Sequence, residues 1–234
     1  MQVVAVASQK GGSGKTTLAG HIAVQAERAG AGPVALVDTD PQGSLADWWN
    51  ERAEATPVFV QTSVPRLAED IAEMRRLGIN LLVIDTPPAI TDTIGDVVRQ
   101  ADLVVVPTRP SPHDLRSVGA TVELVDSLHK PMVFVVNGAH PTARITSEAV
   151  ISLAQHGPLA PSIIHQRTDF AASMIDGRTV MELPGSSRSA VEIEKLWEYL
   201  SNRLNRNFRK TVTPLGFTGN KAFGRARLES QEIT

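Results

Sequence analysis

Hydrophobic positions in the chain fall into short continuous runs, separated by longer stretches where they recur every three or four residues. Residues 2–8 (QVVAVAS), 33–38 (PVALVD), 81–85 (LLVID), 103–107 (LVVVP) and 132–137 (MVFVVN) are runs rich in Val, Ile and Leu. Residues 58–61 and 162–165 are weaker versions of the same pattern. A strand covered on one face alternates apolar and polar positions, whereas a strand covered on both faces is apolar throughout. The runs therefore predict a parallel sheet with helices on each side. Residues 16–29, 44–53 and 190–204 carry helical spacing or good helix formers. The expected fold is α/β: a doubly wound, mostly parallel sheet with helices on both faces. Several runs end in a polar residue, namely Ser8, Asp38, Asp85 and Asn137. Ligands of such sheets bind outside the carboxyl ends of the strands, so these residues collect where chemistry is expected. The competing reading is that they only begin loops.

From Thr211 onward the pattern dissolves, and Pro214, Gly216, Gly219 and Gly224 act as breakers. The expected organisation is one domain over residues 1–205 and a basic tail over residues 206–234. The formal charge of −2 conceals an asymmetry: residues 203–234 carry +5 and the remainder −7. The total alone is thus a poor guide to a polyanionic partner. The chain has no cysteine. This excludes a disulfide scaffold, a thiolate zinc site, an all-cysteine iron–sulfur cluster and a cysteine nucleophile. No apolar run approaches the roughly 20 residues of a membrane span, and residues 1–8 lack the basic start of a signal peptide. A cytoplasmic location is expected. The six histidines show no metal-ligand spacing and read as surface or helix residues.

Residues 9–17 read QKGGSGKTT and hold G-x-x-G-K-T between an expected strand and an expected helix. That context makes a phosphate-binding loop credible. Gly11, Gly12 and Gly14 let the backbone N–H groups of the loop, Ser13 included, turn toward phosphate oxygens. The helix start adds its positive end. Lys15 is placed for the β- and γ-phosphates, the Thr16 hydroxyl for Mg²⁺, and Thr17 for the α-phosphate. Asp85, closing LLVID before Thr86, Pro87 and Pro88, fits a strand-end carboxylate that reaches Mg²⁺ through water.

Lys10, five residues before Lys15, goes beyond a generic loop. With QKGGSGKTT, DTDPQ at residues 38–42 and LLVIDTPP at residues 81–88, the chain resembles the ParA/MinD family of deviant Walker-type P-loop NTPases. VDTDPQGSLADWW and PSPHD bring it nearest to the small ParF-like partition subgroup. The resemblance covers residues 1–200. It implies ATP hydrolysis with Mg²⁺. Lys10 is implied to reach the partner's nucleotide across an ATP-dependent homodimer, as a charge supplied in trans. Asp40 is implied to orient the attacking water, and Asp38 to sit near the metal shell. For Asp40 a helix-capping role before residues 44–53 is a compatible alternative. Asn137 stands where relatives often place an adenine-reading amide. Trp48 and Trp49 read as core residues or as a switch surface.

The resemblance also implies a surface bound by the ATP dimer and released when a ParB-like or cargo-adaptor partner stimulates hydrolysis. For non-specific DNA, hence nucleoid association in the ATP state, the candidates are Arg167, Arg178, Arg188, Arg203, Arg206, Arg209 and Lys210. Taken singly, each reads as a solvated surface charge, and the DNA reading rests on the 203–210 cluster. For a membrane surface, as in MinD, Trp197, Leu200, Leu204 and Phe208 would form an apolar stripe. The simpler reading packs residues 190–204 on the core through Ile193, Leu196, Trp197 and Leu200. Nine residues precede Lys10, so no winged-helix DNA reader is expected there. The absent cysteines disfavour the nitrogenase iron-protein branch, and a single tyrosine disfavours the autokinases. A dethiobiotin-type ligase is the alternative of a different class, but it gives no reason for Lys10 or DTDPQ.

Overall fold

The computed structural model describes residues 1–88, 92–185 and 187–211, with side chains described to residue 206. Strands β1 (Gln2–Val6), β2 (Val34–Asp38), β3 (Val58–Phe59), β4 (Leu81–Asp85), β5 (Leu103–Thr108), β6 (Met132–Ala139) and β7 (Ile164–His165) form one sheet. Its order is β3-β2-β4-β1-β5-β6-β7, and each of these pairings is parallel. The two weak runs yield only two-residue strands at the sheet edges, where one neighbour is missing. β6 continues past Asn137 to Ala139.

Successive residues point to opposite faces, and both faces are buried. Val4, Val6, Val83 and Val105 face one core, formed with α1 (Lys15–Arg28), α2 (Ser44–Asn50) and α8 (Arg188–Thr211). Val3, Ala5, Ile84 and Val104 face the other. That core is closed by α3 (Leu67–Arg76), α4 (Asp92–Gln100), α5 (Pro112–Ser127) and α6 (Arg144–Ala154). This double burial explains why the strand sequences do not alternate.

The helix after β1 lies on one face, while those after β4 and β5 lie on the other. Neighbouring connections that diverge in this way open a crevice at the carboxyl ends of β4, β1 and β5. Helix α7 (Thr168–Met174) follows β7. α8 runs through residue 205 without a break and ends at Thr211. Ile193, Leu196, Trp197, Leu200 and Leu204 are buried on α1 and its surroundings. The apolar stripe, as far as Leu204, therefore faces the protein. Residues 212–234, most of the expected tail, lie outside the described residues, as do the side chains of Phe208, Arg209 and Lys210. No helix among the described residues is long and apolar enough to cross a membrane.

Candidate functional site

The loop between β1 and α1 closes over the crevice. Gly12 and Gly14 have φ of 73° and 95°, a region that strains residues with a Cβ. At Gly14 contact adds a second reason. A Cβ there would stand 2.1 Å from Asn137 Nδ2. Asn137 occupies that space because its amide donates to the Ser13 carbonyl at 2.7 Å. Gly138, with φ 66°, sits at the register irregularity between Asn137 and Ala139, where β6 pairs with β7. The expected adenine reader thus also holds the loop itself.

Lys15 is buried and its ammonium donates to the Lys10 carbonyl at 3.3 Å. Burial lowers its pKa, and the charges of Asp85 and Asp40 oppose that shift. Ser13 is 1% exposed, and its hydroxyl has no partner among the described residues. A buried ammonium, an orphaned hydroxyl and glycine-turned amides form a cradle that fits an anionic phosphate chain.

Parallel register sets Asp38 beside Asp85, and Val6 on the far side of Asp85. The Thr16 hydroxyl donates to Asp85 Oδ2 at 2.6 Å, so the first helical turn and the strand end meet. Burial raises the Asp85 pKa to about 7, with help from the Asp38 charge and against Thr16, Lys15 and the Thr86 N–H. Thr39, between the two acids of DTD, donates from its hydroxyl and its amide to the Asp85 carbonyl at 2.6 and 3.0 Å. Sequence reading did not single out Thr39. Its signal was the polar residue inside DTD, but its partner is 46 positions away.

Asp38 and Asp40 divide their work differently from expectation. Asp38 Oδ2 accepts from the N–H groups of Leu45 and Ala46 at 2.9 and 3.2 Å, and Oδ1 accepts from Asp40 N–H at 2.9 Å. The acid that satisfies the start of α2 is therefore Asp38. Gly43 in left-handed conformation is the residue before the helix, with no side-chain cap of its own. Burial raises the Asp38 pKa, and these three N–H groups pull it back. Among the described residues the Asp40 carboxylate accepts only from Gln42 N–H within its own turn, at 3.0 Å, and it is half-exposed. Thr16, Asp38 and Asp85 offer hard oxygen donors of the kind Mg²⁺ takes. No cluster of three His, Cys, Asp or Glu side chains able to hold a metal occurs among the described residues.

Lys10 is exposed, and its side chain makes no hydrogen bond or ion pair among the described residues. The arginines proposed for DNA separate into two groups. Arg167 is held by both oxygens of Glu192 at 2.8 and 2.9 Å, beside His165. Arg178 is paired with Asp176. Arg203 is half-buried with its guanidinium over the Tyr199 ring. Arg188 and Arg206 are exposed and unpaired among the described residues. Trp48 is a core residue whose indole N–H donates to the Arg178 carbonyl, and Trp49 donates to Pro57. His21 lies on α1 as a helix residue, but it is fully buried.

Comparison with known proteins agrees with this geometry. Across 223 residues the chain is 34% identical to Maintenance of carboxysome distribution protein A of Gloeobacter kilaueensis, covering 89% of this chain and 96% of that one. It is 27% identical to Protein ParA of Rhizobium radiobacter over 194 residues, 81% of this chain and 80% of the relative. Apo McdA of Cyanothece superposes with a TM-score of 0.71 at 19% identity, over 86% of this chain and 99% of that one. MinD in the MinC:MinD complex of Aquifex aeolicus gives 0.73 at 17%, over 86% and 96%. These likenesses show a shared fold. The model of the CobQ/CobB/MinD/ParA nucleotide binding domain matches residues 4–180, most of the chain, and with a P-loop between β1 and α1 the protein belongs to that family.

Proposed function

We propose that the chain is an ATP-dependent dimeric switch that binds DNA without sequence preference and positions a cargo. The observation that carries this reading is the division of labour between two lysines. Lys15 is buried within its own loop, whereas Lys10, at the loop's entrance, is exposed and has no partner in its own subunit among the described residues. A cation so placed suits a phosphate group brought by a second subunit. The fit of the cradle to an anionic phosphate chain supports ATP, whose triphosphate is such a chain. Thr16, Asp38 and Asp85 would hold Mg²⁺, which neutralises phosphate charge when bound. Asp40, whose carboxylate is otherwise engaged only within its turn, orients water. Asn137 spends one amide hydrogen on Ser13 and keeps its second N–H and its Oδ1 for the base.

Arg188 and Arg206 support the DNA surface best, because Arg167 and Arg178 already pair with acids. The relatives named for carboxysome distribution favour a protein assembly as cargo, with a plasmid as the alternative. A ParB-like or adaptor protein would stimulate hydrolysis. Lys15→Ala should abolish nucleotide binding. Lys10→Ala should keep binding but lose the ATP-dependent dimer on size exclusion. Asp40→Ala should hold that dimer. A Lys10→Ala protein that still dimerises with ATP removes the basis of the switch. Arg206→Glu should weaken retention of random-sequence DNA and make that retention less steeply dependent on salt; an unchanged gel shift moves the surface elsewhere.

A further inference from the structure

Strand β5 lies next to β1, with Val105 opposite Val6, so the loop that follows β5 rises beside the P-loop. The first residue of that loop is Arg109, directly after Thr108. Its Nη1 is 3.9 Å from where a Cβ on Gly12 would stand. Its Cγ and Nε are each 3.6 Å from where one on Gly138 would stand. The side chain therefore bridges the glycines of the P-loop and of the β6 end. The base of Arg109 is fixed: its carbonyl accepts from Ser111 N–H at 2.8 Å, and Ser111 caps α5 through Asp114 N–H at 3.1 Å.

Despite this anchoring the residue is exposed, and the guanidinium makes no ion pair or hydrogen bond among the described residues. Arg52 and Arg167, in contrast, are fully engaged by Glu182 and Glu192. A planar cation held against a phosphate cradle and left without a carboxylate is suited to paired hydrogen bonds with phosphate oxygens. We propose that Arg109 is a nucleotide-contacting residue whose guanidinium engages the phosphate chain from the β5 side of the cradle. Lys15 acts from inside the loop, and Arg109 from its rim. The inference rests on the nucleotide-binding reading of the P-loop given above.

The test is equilibrium titration of the full chain with fluorescent mant-ATP and mant-ADP, and competition by unlabelled tripolyphosphate. Arg109→Ala should weaken both nucleotides and tripolyphosphate by about tenfold to a hundredfold. Arg109→Lys should recover part of the loss. The thermal midpoint of the ligand-free protein should not move, because the side chain is exposed. Unchanged nucleotide affinity in Arg109→Ala, with Lys15→Ala weakened, overturns the role of Arg109 alone. Weaker ATP with unchanged tripolyphosphate places the guanidinium on the base or sugar and overturns the phosphate contact. Unchanged affinity in Lys15→Ala overturns the P-loop reading itself.

Discussion

His21 and Asp85 should give the ligand-free protein two opposing responses to acid. The His21 ring is fully buried: Nδ1–H donates to the Thr17 carbonyl at 2.7 Å, Nε2 accepts from Val180 N–H at 3.2 Å, and Phe170 packs 5.2 Å away. Burial lowers its pKa from 6.5 to about 4. Below pH 6.5 the unfolded chain binds a proton that the folded one does not, so the stability held at neutral pH is lost as pH falls toward 4. Between pH 7.5 and 5.0 the loss is about 2 kcal/mol. Asp85 has its pKa raised to about 7. There the folded state binds the proton first, so lowering the pH over the same range adds about 2.5 kcal/mol. The two contributions nearly cancel each other. Urea unfolding of ligand-free protein at both pH values separates them. His21→Gln should gain about 2 kcal/mol relative to the parent on acidification. Asp85→Asn should lose about 2.5 kcal/mol relative to the parent. Any fixed cost of a substitution drops out of this difference. A His21→Gln-to-parent difference that stays constant with pH would refute the buried neutral imidazole.

Gly177→Ala should destabilise by about 3 kcal/mol, near 10 °C in Tm by calorimetry, because φ is +73° and a Cβ would lie 2.3 Å from the Arg52 backbone. Arg52→Met should cost about 3 kcal/mol in urea unfolding, since it strands Glu182, which is 15% exposed, without its two charge-assisted bonds. The Arg52→Met/Glu182→Met pair should recover much of that cost, and full additivity would contradict a shared interaction. Asn137→Ala should loosen the loop and weaken ADP binding by about fivefold in calorimetric titration, reflecting one lost hydrogen bond to Ser13. Tighter binding would show that the contact opposes the nucleotide.

The continuous apolar runs of β1, β2, β4, β5 and β6 were legible in the sequence, because burial on both faces leaves no other pattern. The same holds for QKGGSGKTT, where phosphate chemistry demands small residues, a lysine and a threonine at fixed spacing beside a helix start. The two edge strands were hard to bound, because a single neighbour and two residues impose little pattern. Pairings that decide the site were invisible for a different reason. Thr16 meets Asp85 across 69 positions and Asn137 meets Ser13 across 124, contacts set by sheet order and register. Arg167 and Arg206 look alike as charges in a string; only the folded chain closes Glu192 on the first and leaves the second exposed. Local chemistry and periodicity thus determined the elements and the phosphate loop. The tertiary structure decided which acid caps α2, which lysine is buried and which arginines are unpaired among the described residues, because each depends on how the chain is folded around it and not on residue type.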